Sequence, residues 1–197
     1  MDTEASIAPL MITLDSVEPA VTRRIEVPYD IRLDRLHLTL QAAFGWTNSH
    51  LWEIRARDIG WGIPDPDWPD GPLNAKKATL WDVIEDTGAK TLNYLYDFGD
   101  GWEHTIRIKP LIDADPQIKY PVLIDASGRC PPEDVGGPWL YEERLEVMGD
   151  PDHEEYEELK EWWPEDFDPA DAPVKDLKAA VAKLARSWNR AQRKKTG

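Results

Sequence analysis

The sequence predicts an α+β protein, in which an antiparallel sheet with a central hairpin is packed by helices and the C-terminal half is helical. Three observations predict this class. Apolar residues alternate along several segments before residue 109, they recur at three- and four-residue steps after residue 137, and strands precede helices rather than alternating with them. A chain of 197 residues fits one α+β domain, expected over residues 1–172, followed by a basic helix and tail over residues 173–197.

The first third of the chain predicts two strands and a helix. Short strands are expected over residues 11–14 and 23–27, and the second is closed by a proline. Residues 33–44 carry apolar side chains at three- and four-residue spacing, which is typical of an amphipathic helix. Gly45 stands where a helix commonly ends in the left-handed conformation.

The next segments alternate between regular and irregular patterns. Residues 50–57 alternate apolar and charged side chains, which predicts a half-buried strand. Residues 61–74 contain four prolines and two glycines and therefore predict a loop. Thr79 is expected to cap a short helix that ends at Asp86.

A central hairpin gives the clearest local signal. Apolar and aromatic side chains occupy every second position of residues 92–98 and again of residues 102–108. Gly99 and Gly101 lie between the two segments and are expected to supply the positive φ angles of a tight turn. A further strand is expected over residues 120–124.

Three helices are predicted after residue 137. The first begins at Pro138 and ends at Gly149. The second is expected to use Asp150 as its N-cap and to stop at Pro164. The last carries an apolar stripe from Val174 to Trp188.

The charge of the chain is negative overall and unevenly distributed. The net charge is −15, but residues 132–172 hold 16 acids and two bases, whereas residues 173–197 hold eight bases and one acid. The acidic body is therefore not expected to bind nucleic acid, which requires clustered basic side chains. The basic helix is expected to dock on this body; binding a partner or a phosphate group is the alternative for it.

The cysteine count and the hydropathy of the chain predict its compartment and whether it contacts a membrane. Cys130 is the only cysteine, so no internal disulfide can form. Residues 1–10 lack the basic and apolar regions of a signal peptide, and no segment is long and apolar enough to cross a membrane. We therefore expect a cytoplasmic protein with no membrane partner.

Polar residues near the hairpin are candidates for chemistry. His50, Asp97, Asp100 and His104 offer imidazole and carboxylate ligands of the kind that bind a divalent metal. The alternative, which the turn sequence favours, is that the two aspartates only bind backbone amides of the turn. His37 lies on the apolar side of a predicted helix, which favours a core histidine.

A second candidate segment begins at Cys130 and is rich in proline. Glu133 and Asp134 follow it and precede Gly136 and Gly137, which lead into a predicted helix. A nucleophilic cysteine would need a base and a pair of backbone amides as an oxyanion site. A rigid turn that begins the acidic helix is the favoured interpretation, with the two carboxylates near the helix amides.

Three motifs occur in a fixed order along the chain. They are Arg23-Arg24-Ile25-Glu26-Val27-Pro28 leading to Leu36-His37, Phe44-Gly45-Trp46 and His50-Leu51; Tyr96-Asp97-Phe98-Gly99-Asp100-Gly101-Trp102-Glu103-His104; and Cys130-Pro131-Pro132-Glu133-Asp134-Val135-Gly136-Gly137-Pro138. Together they resemble the plasmid pRiA4b ORF-3-like family over roughly residues 6–168. The resemblance implies an α+β domain that is associated with plasmids or transposons.

The chain departs from the family pattern at three positions. Thr22 stands where a tryptophan is usual, Leu140 replaces a common glycine, and Val135 replaces a frequent second cysteine. A metal site with two thiolates is therefore not expected. The polar candidates that match the motifs are His37, His50, Asp97, Asp100, His104, Glu133 and Asp134, and the structural motif residues are Gly99, Gly101, Trp102, Cys130, Gly136 and Gly137.

Two functions follow as hypotheses. The first is a non-enzymatic module that binds a protein partner, such as one from a mobile element, through acidic helices and some of its ten tryptophans. The alternative is a hydrolase-like enzyme that uses His50, Asp97 and His104 around a divalent ion, with Glu133 or Asp134 as the base. A third, weaker hypothesis is mimicry of DNA by the acidic segment.

Overall fold

The computed structural model describes residues 6–193, and side chains up to residue 189. Residues 1–5 and 194–197 lie outside the described residues. The first range is part of the segment in which no signal peptide is expected, and the second belongs to the predicted tail. Within the described part, the protein has a nine-stranded, mostly antiparallel sheet and five α-helices. The strands are β1 Ser6–Leu14, β2 Val21–Pro28, β3 Trp52–Ala56, β4 Ile59–Gly62, β5 Leu73–Asn74, β6 Thr91–Tyr96, β7 Trp102–Ile108, β8 Ile112–Asp113 and β9 Val122–Ser127. The helices are α1 Leu33–Phe44, α2 Leu80–Thr87, α3 Gly137–Gly149, α4 Tyr156–Trp162 and α5 Val174–Arg193.

The sheet is built around the pair β6 and β7. Its order is β5-β4-β3-β6-β7-β1-β2-β9, and β8 pairs with β1 outside this path. Among the strands of residues 6–193, only β4 and β5 pair in parallel. Tyr94 lies opposite His104, and Tyr96 opposite Trp102, so four aromatic rings face the same side of the central pair. All four are buried, and α1 and Tyr141 of α3 cover this face.

The turn between β6 and β7 differs from the prediction in one respect. Its positive φ angles belong to Asp97 and Gly101, not to Gly99. Asp97 can adopt the left-handed conformation because its side chain accepts the amide of Gly99 at 2.9 Å, and its carbonyl accepts the amide of Gly101 at 2.7 Å. The connection is therefore a five-residue loop closed by local hydrogen bonds.

Two further predictions were wrong in detail. The predicted loop over residues 61–74 contains β4 at its start and β5 at its end, because Gly62 lets the chain pass close to the carbonyl of Trp52. The second C-terminal helix does not begin at Asp150. Instead, the carbonyl of Asp150 accepts the amide of His153 in a turn, and α4 begins only at Tyr156. Its length is therefore less than the sequence predicts.

Helix α1 ends as predicted. Gly45 has a φ of 91°, and its amide donates to the carbonyl of Gln41 at 2.9 Å. Helix α2 is capped by Thr79, which exchanges hydrogen bonds with Asp82. The C-terminal end of α1 and the N-terminal end of α2 are thus fixed by the residues that the sequence pattern indicated.

Helix α5 packs on the body through apolar side chains. Leu177, Val181 and Ala185 are buried, and the helix lies against α1 and β9. The guanidinium of Arg35 on α1 lies 5.1 Å from the ring of Trp188. Among the described side chains no ion pair joins α5 to the body, so apolar burial and not direct ion pairing holds this helix in place.

No helix of the described part is long and apolar enough to cross a membrane.

A buried arginine joins the far edge of the sheet to α1. Arg23 is 1% exposed and donates to the carbonyls of Ala43 at 2.6 Å and Ser127 at 2.8 Å, among others. Its guanidinium lies over the ring of Phe44. Burial lowers the pKa of Arg23, but a guanidinium stays charged at any working pH. The backbone carbonyls therefore solvate this charge in place of water.

His104 lies at the centre of the core. It is fully buried, and its ring meets Phe44 edge-on at 4.7 Å between centroids. Its Nδ1 lies 3.1 Å from the carbonyls of both Tyr94 and Trp102, while the indole N–H of Trp46 faces Nε2 at 3.4 Å. This pattern fits the neutral tautomer with the proton on Nδ1. Burial lowers the pKa of His104 to about 4.

Acid should therefore weaken the fold through His104. Between pH 6.5 and pH 4 His104 binds a proton in the unfolded chain but not in the folded chain. The free energy of unfolding therefore falls as the pH falls. We expect a loss of about 3 kcal/mol from this residue by pH 4, at 1.36 kcal/mol per pH unit. Urea titrations across this range should show a smaller pH slope for His104→Gln than for the wild type. Equal slopes would contradict the prediction.

Candidate metal centre

His50 precedes β3 and is surrounded by three carboxylates. Its Nδ1 lies 3.5 Å from Oδ2 of Asp97. Its Nε2 lies 3.1 Å from Oδ1 of Asp134 and 3.7 Å from Oε2 of Glu133. The fold thus brings together four of the residues selected from the sequence, although they come from three segments distant in the chain.

Asp97 is held in place by the hairpin turn. Its Oδ1 accepts the amides of Gly99 at 2.9 Å and Asp100 at 3.3 Å. Its Oδ2 lies on the side of His50, 3.5 Å from Nδ1. A carboxylate in this position favours the tautomer with the proton on Nδ1, and the lone pair of Nε2 then points away from Asp97.

The Nε2 atom of His50 has no hydrogen-bond partner although it is buried. It faces the two carboxylates of Glu133 and Asp134. A lone pair against two negative groups is repulsive, so a proton or a cation is needed between them. His50, Asp97 and Asp134 also each present one ligand atom within 4.8 Å of the others. The ligand types and their spacing are compatible with one small cation.

Glu133 is fixed by donors from two elements. Its Oε1 accepts the amide of Thr47 at 2.6 Å, the hydroxyl of Thr47 at 2.9 Å and the hydroxyl of Tyr96 at 3.0 Å. Burial, together with the negative charge of Glu133, raises the pKa of Tyr96, so this hydroxyl remains a donor. Oε2 of Glu133 lies 3.3 Å from the same Tyr96 hydroxyl and 3.7 Å from Nε2 of His50.

Asp100 connects the hairpin turn to the segment that carries Glu133. Its Oδ2 accepts the amide of Gly136 at 2.9 Å. A Cβ at Gly137 would lie 2.3 Å from the carbonyl oxygen of Asp100, so only glycine allows the two segments to come this close. Asp100 therefore positions the site, and it is not among the residues that surround His50.

A closed ring of hydrogen bonds supports the loop before His50. The amide group of Gln41 donates to the hydroxyl of Tyr94 at 2.8 Å, and that hydroxyl lies 2.9 Å from Nδ1 of His37. Nε2 of His37 lies 2.6 Å from Oδ1 of Asn48, whose backbone amide returns to Gln41 Oε1 at 2.7 Å. His37 also stacks on Trp52 at 3.9 Å between ring centroids. Burial lowers the pKa of His37 to about 4, which keeps the ring neutral.

Two further sequence candidates, besides Asp100 and His37, lie outside this centre. His104 was a candidate ligand, but Tyr94, Trp102 and Trp46 already occupy both of its nitrogens, and it does not belong to the group around His50. Cys130 was a candidate nucleophile, but burial raises the pKa of its thiol, which disfavours the reactive thiolate. Neither residue is therefore part of the candidate centre.

Sequence reasoning missed three residues that position the site. Tyr96 follows the apolar alternation of its strand, so its hydroxyl was not considered. Thr47 and Asn48 lie in a short polar loop with no recognisable motif, although Asn48 has a φ of 57°. Asparagine tolerates this conformation better than most residues, which is the one signal that the loop offered.

The fold and this centre define a mixed α/β protein that carries a histidine–carboxylate cluster at one end of its central hairpin. The model of the plasmid pRiA4b ORF-3-like protein family matches residues 6–176. The chain belongs to this family, which confirms the resemblance that its three motifs indicated.

Two similar proteins extend over nearly the whole chain. The uncharacterized protein y4hQ of Sinorhizobium fredii (strain NBRC 101917 / NGR234) is 53% identical over 193 residues, which are 98% of this chain and 99% of that protein. The crystal structure of MM3350, a protein of unknown function from Methanosarcina mazei Go1, has a TM-score of 0.80 at 33% identity and covers 88% of this chain and 98% of its own.

The hydrogen-bond ring makes Tyr94 a sensitive position. Tyr94→Phe removes the hydroxyl that joins Gln41 to His37 and leaves both partners buried without a bond. We expect the free energy of unfolding to fall by about 1–3 kcal/mol, measured by urea titration. The matched control is Tyr120→Phe, whose hydroxyl accepts one amide in an exposed turn and should cost less than about 0.5 kcal/mol. Equal losses for the two variants would contradict the role of the ring.

Proposed function

We propose that the protein is a divalent-metal-dependent enzyme of hydrolase type, centred on His50. The observation that carries the proposal is the buried Nε2 of His50, which has no hydrogen-bond partner and faces Glu133 and Asp134. In this proposal Nε2 and the two carboxylates bind the ion. Asp97 binds Nδ1 and orients the ring, as carboxylates do behind many metal-bound histidines.

The distances support a single ion at this place. Ligands that each lie ~2.1 Å from one ion are ~3.0–3.4 Å apart in octahedral or tetrahedral geometry. Nε2 of His50 lies 3.1 Å from Asp134 and 3.7 Å from Glu133, close to these values. The ligand atoms that all lie within 4.8 Å of one another belong to His50, Asp97 and Asp134, so Glu133 has to approach Asp134 before both can bind one ion. One imidazole with two carboxylates suits Zn²⁺ or Mn²⁺ better than Ca²⁺ or Cu⁺.

The ligand number and the exposure support a catalytic role. Three protein ligands leave at least one coordination position for water or substrate, as in catalytic zinc sites, whereas structural sites are closed by four. The side chain of Asp134 is 75% exposed, so the site is open to solvent on this side. A water bound there would be made more acidic by the ion and would be available for hydrolysis.

Metal titration tests the proposal directly. Isothermal titration calorimetry with Zn²⁺ or Mn²⁺ should give one ion per chain, and His50→Gln should abolish this binding. Asp97→Asn should weaken it by about 10- to 100-fold, because the ring loses the carboxylate that orients it.

The matched control is His153→Gln, which removes a histidine from an acidic and exposed turn. It should bind the ion like the wild type. A similar loss in His153→Gln and His50→Gln would mean that the ion binds the acidic surface without a specific site. Circular dichroism of each variant checks that the fold is retained.

A protein-binding module is the second candidate function. It is favoured by the large aromatic side chains that lie on the surface of the helical region, where Trp139 is 74% exposed and Trp162 is 44% exposed. Exposed tryptophans are common at protein interfaces because one side chain contributes a large contact area. This role does not require an ion at His50.

Two broader assignments accompany these proposals. We propose an association with plasmids or transposons, and the name of the family supports the plasmid part of this proposal. We also propose a cytoplasmic location, supported by the single cysteine of the chain, which leaves stability independent of an oxidising compartment.

A further inference from the structure

A small groove lies between α3 and α4, outside the residues of the candidate metal centre. Its apolar lining consists of Leu140, Val147, Leu159 and Trp162. The volume of the groove is about 210 Å³. Pockets for drug-sized ligands usually measure ~300–1,000 Å³, so this groove suits one large apolar side chain rather than a whole small molecule.

Acidic side chains border this apolar lining. Glu143, Glu155 and Glu158 line the groove, and all three are exposed. None of them forms an ion pair with a side chain in the described part of the protein. Their negative charges are therefore uncompensated next to an apolar surface.

Arg144 is the one basic residue in the lining, and its guanidinium is engaged within the protein. It donates to the carbonyl of Val135 at 2.7 Å and lies 4.9 Å from the ring of Trp162. Arg144 thus supports the floor of the groove. The carboxylates are left as the charges that a partner would meet.

The wider charge of this region has the same sign. Residues 132–172 hold 16 acids and two bases, so the potential around the groove is strongly negative. Charge complementarity therefore selects a basic partner, and the apolar lining selects one that also carries a large apolar side chain.

We propose that the groove between α3 and α4 binds a basic amphipathic segment of a partner protein. One large apolar side chain of the partner enters the groove, and lysine or arginine side chains beside it meet Glu143, Glu155 and Glu158. This inference rests on the proposed protein-binding role, names the chemistry of the partner, and is independent of metal binding at His50.

A synthetic peptide tests the inference on the full-length chain. The probe is a fluorescein-labelled helical peptide of lysine and alanine with one central leucine, and binding is followed by fluorescence anisotropy. We expect binding that weakens as salt is added, and much weaker binding when the central leucine is replaced by alanine. Trp162→Ala should weaken binding of the leucine peptide only.

Charge variants locate the binding surface. The double variant Glu155→Gln/Glu158→Gln should bind the leucine peptide roughly three- to tenfold more weakly than the wild type. The matched control, Asp67→Asn/Asp70→Asn, removes the same charge from an exposed loop and should bind like the wild type. Equal weakening in both double variants would overturn the groove assignment, as would equal binding of the leucine and alanine peptides.

A natural partner distinguishes failure of the groove from failure of the role. If a partner purified from the native cell binds the Glu155→Gln/Glu158→Gln variant as tightly as the wild type, the groove assignment is wrong and the protein-binding role stands. If neither the peptide nor any such partner binds, both are wrong.

Discussion

The buried hydrogen-bond ring through Tyr94 is the constraint on which the candidate site depends. It joins α1, β6 and the loop before β3, because Tyr94 bonds both Gln41 and His37, and Asn48 bonds the same two residues. His37, Gln41 and Tyr94 are buried and Asn48 is exposed, and each polar atom of the ring has a partner, so the ring restricts the position of the loop. His50 lies two residues after Asn48, so the hydrogen-bond ring also helps to fix the position of His50.

A second constraint brings the acidic groups to the same place. The hairpin turn is closed by Asp97, and Asp100 then binds the amide of Gly136. The absence of a side chain at Gly137 allows this approach. Glu133 and Asp134, a few residues earlier, are thereby carried to the edge of His50. The two glycine-containing motifs thus act together, and the centre is a consequence of their contact.

The sequence predicted much of the fold and part of the site, for identifiable reasons. Helix α1 and the pair β6–β7 have strong periodic patterns, and both were located closely. Strand β5 was missed because two residues directly after a proline carry no period. His50 and Asp97 were selected for their chemistry, but their contact depends on pairing between β3 and β6, which no local pattern specifies. His104 was misjudged as a ligand because its burial by α1 is a tertiary effect.

The central claim is that Nε2 of His50 binds a divalent ion together with Glu133 and Asp134. The most direct measurement is a crystal structure of the protein soaked with Zn²⁺ or Mn²⁺, with anomalous scattering recorded at the metal edge. We predict one strong peak about 2.1 Å from Nε2 of His50 and within bonding distance of both carboxylates. A map with no peak beside His50, or with the peak bonded only to surface carboxylates elsewhere, would contradict the account.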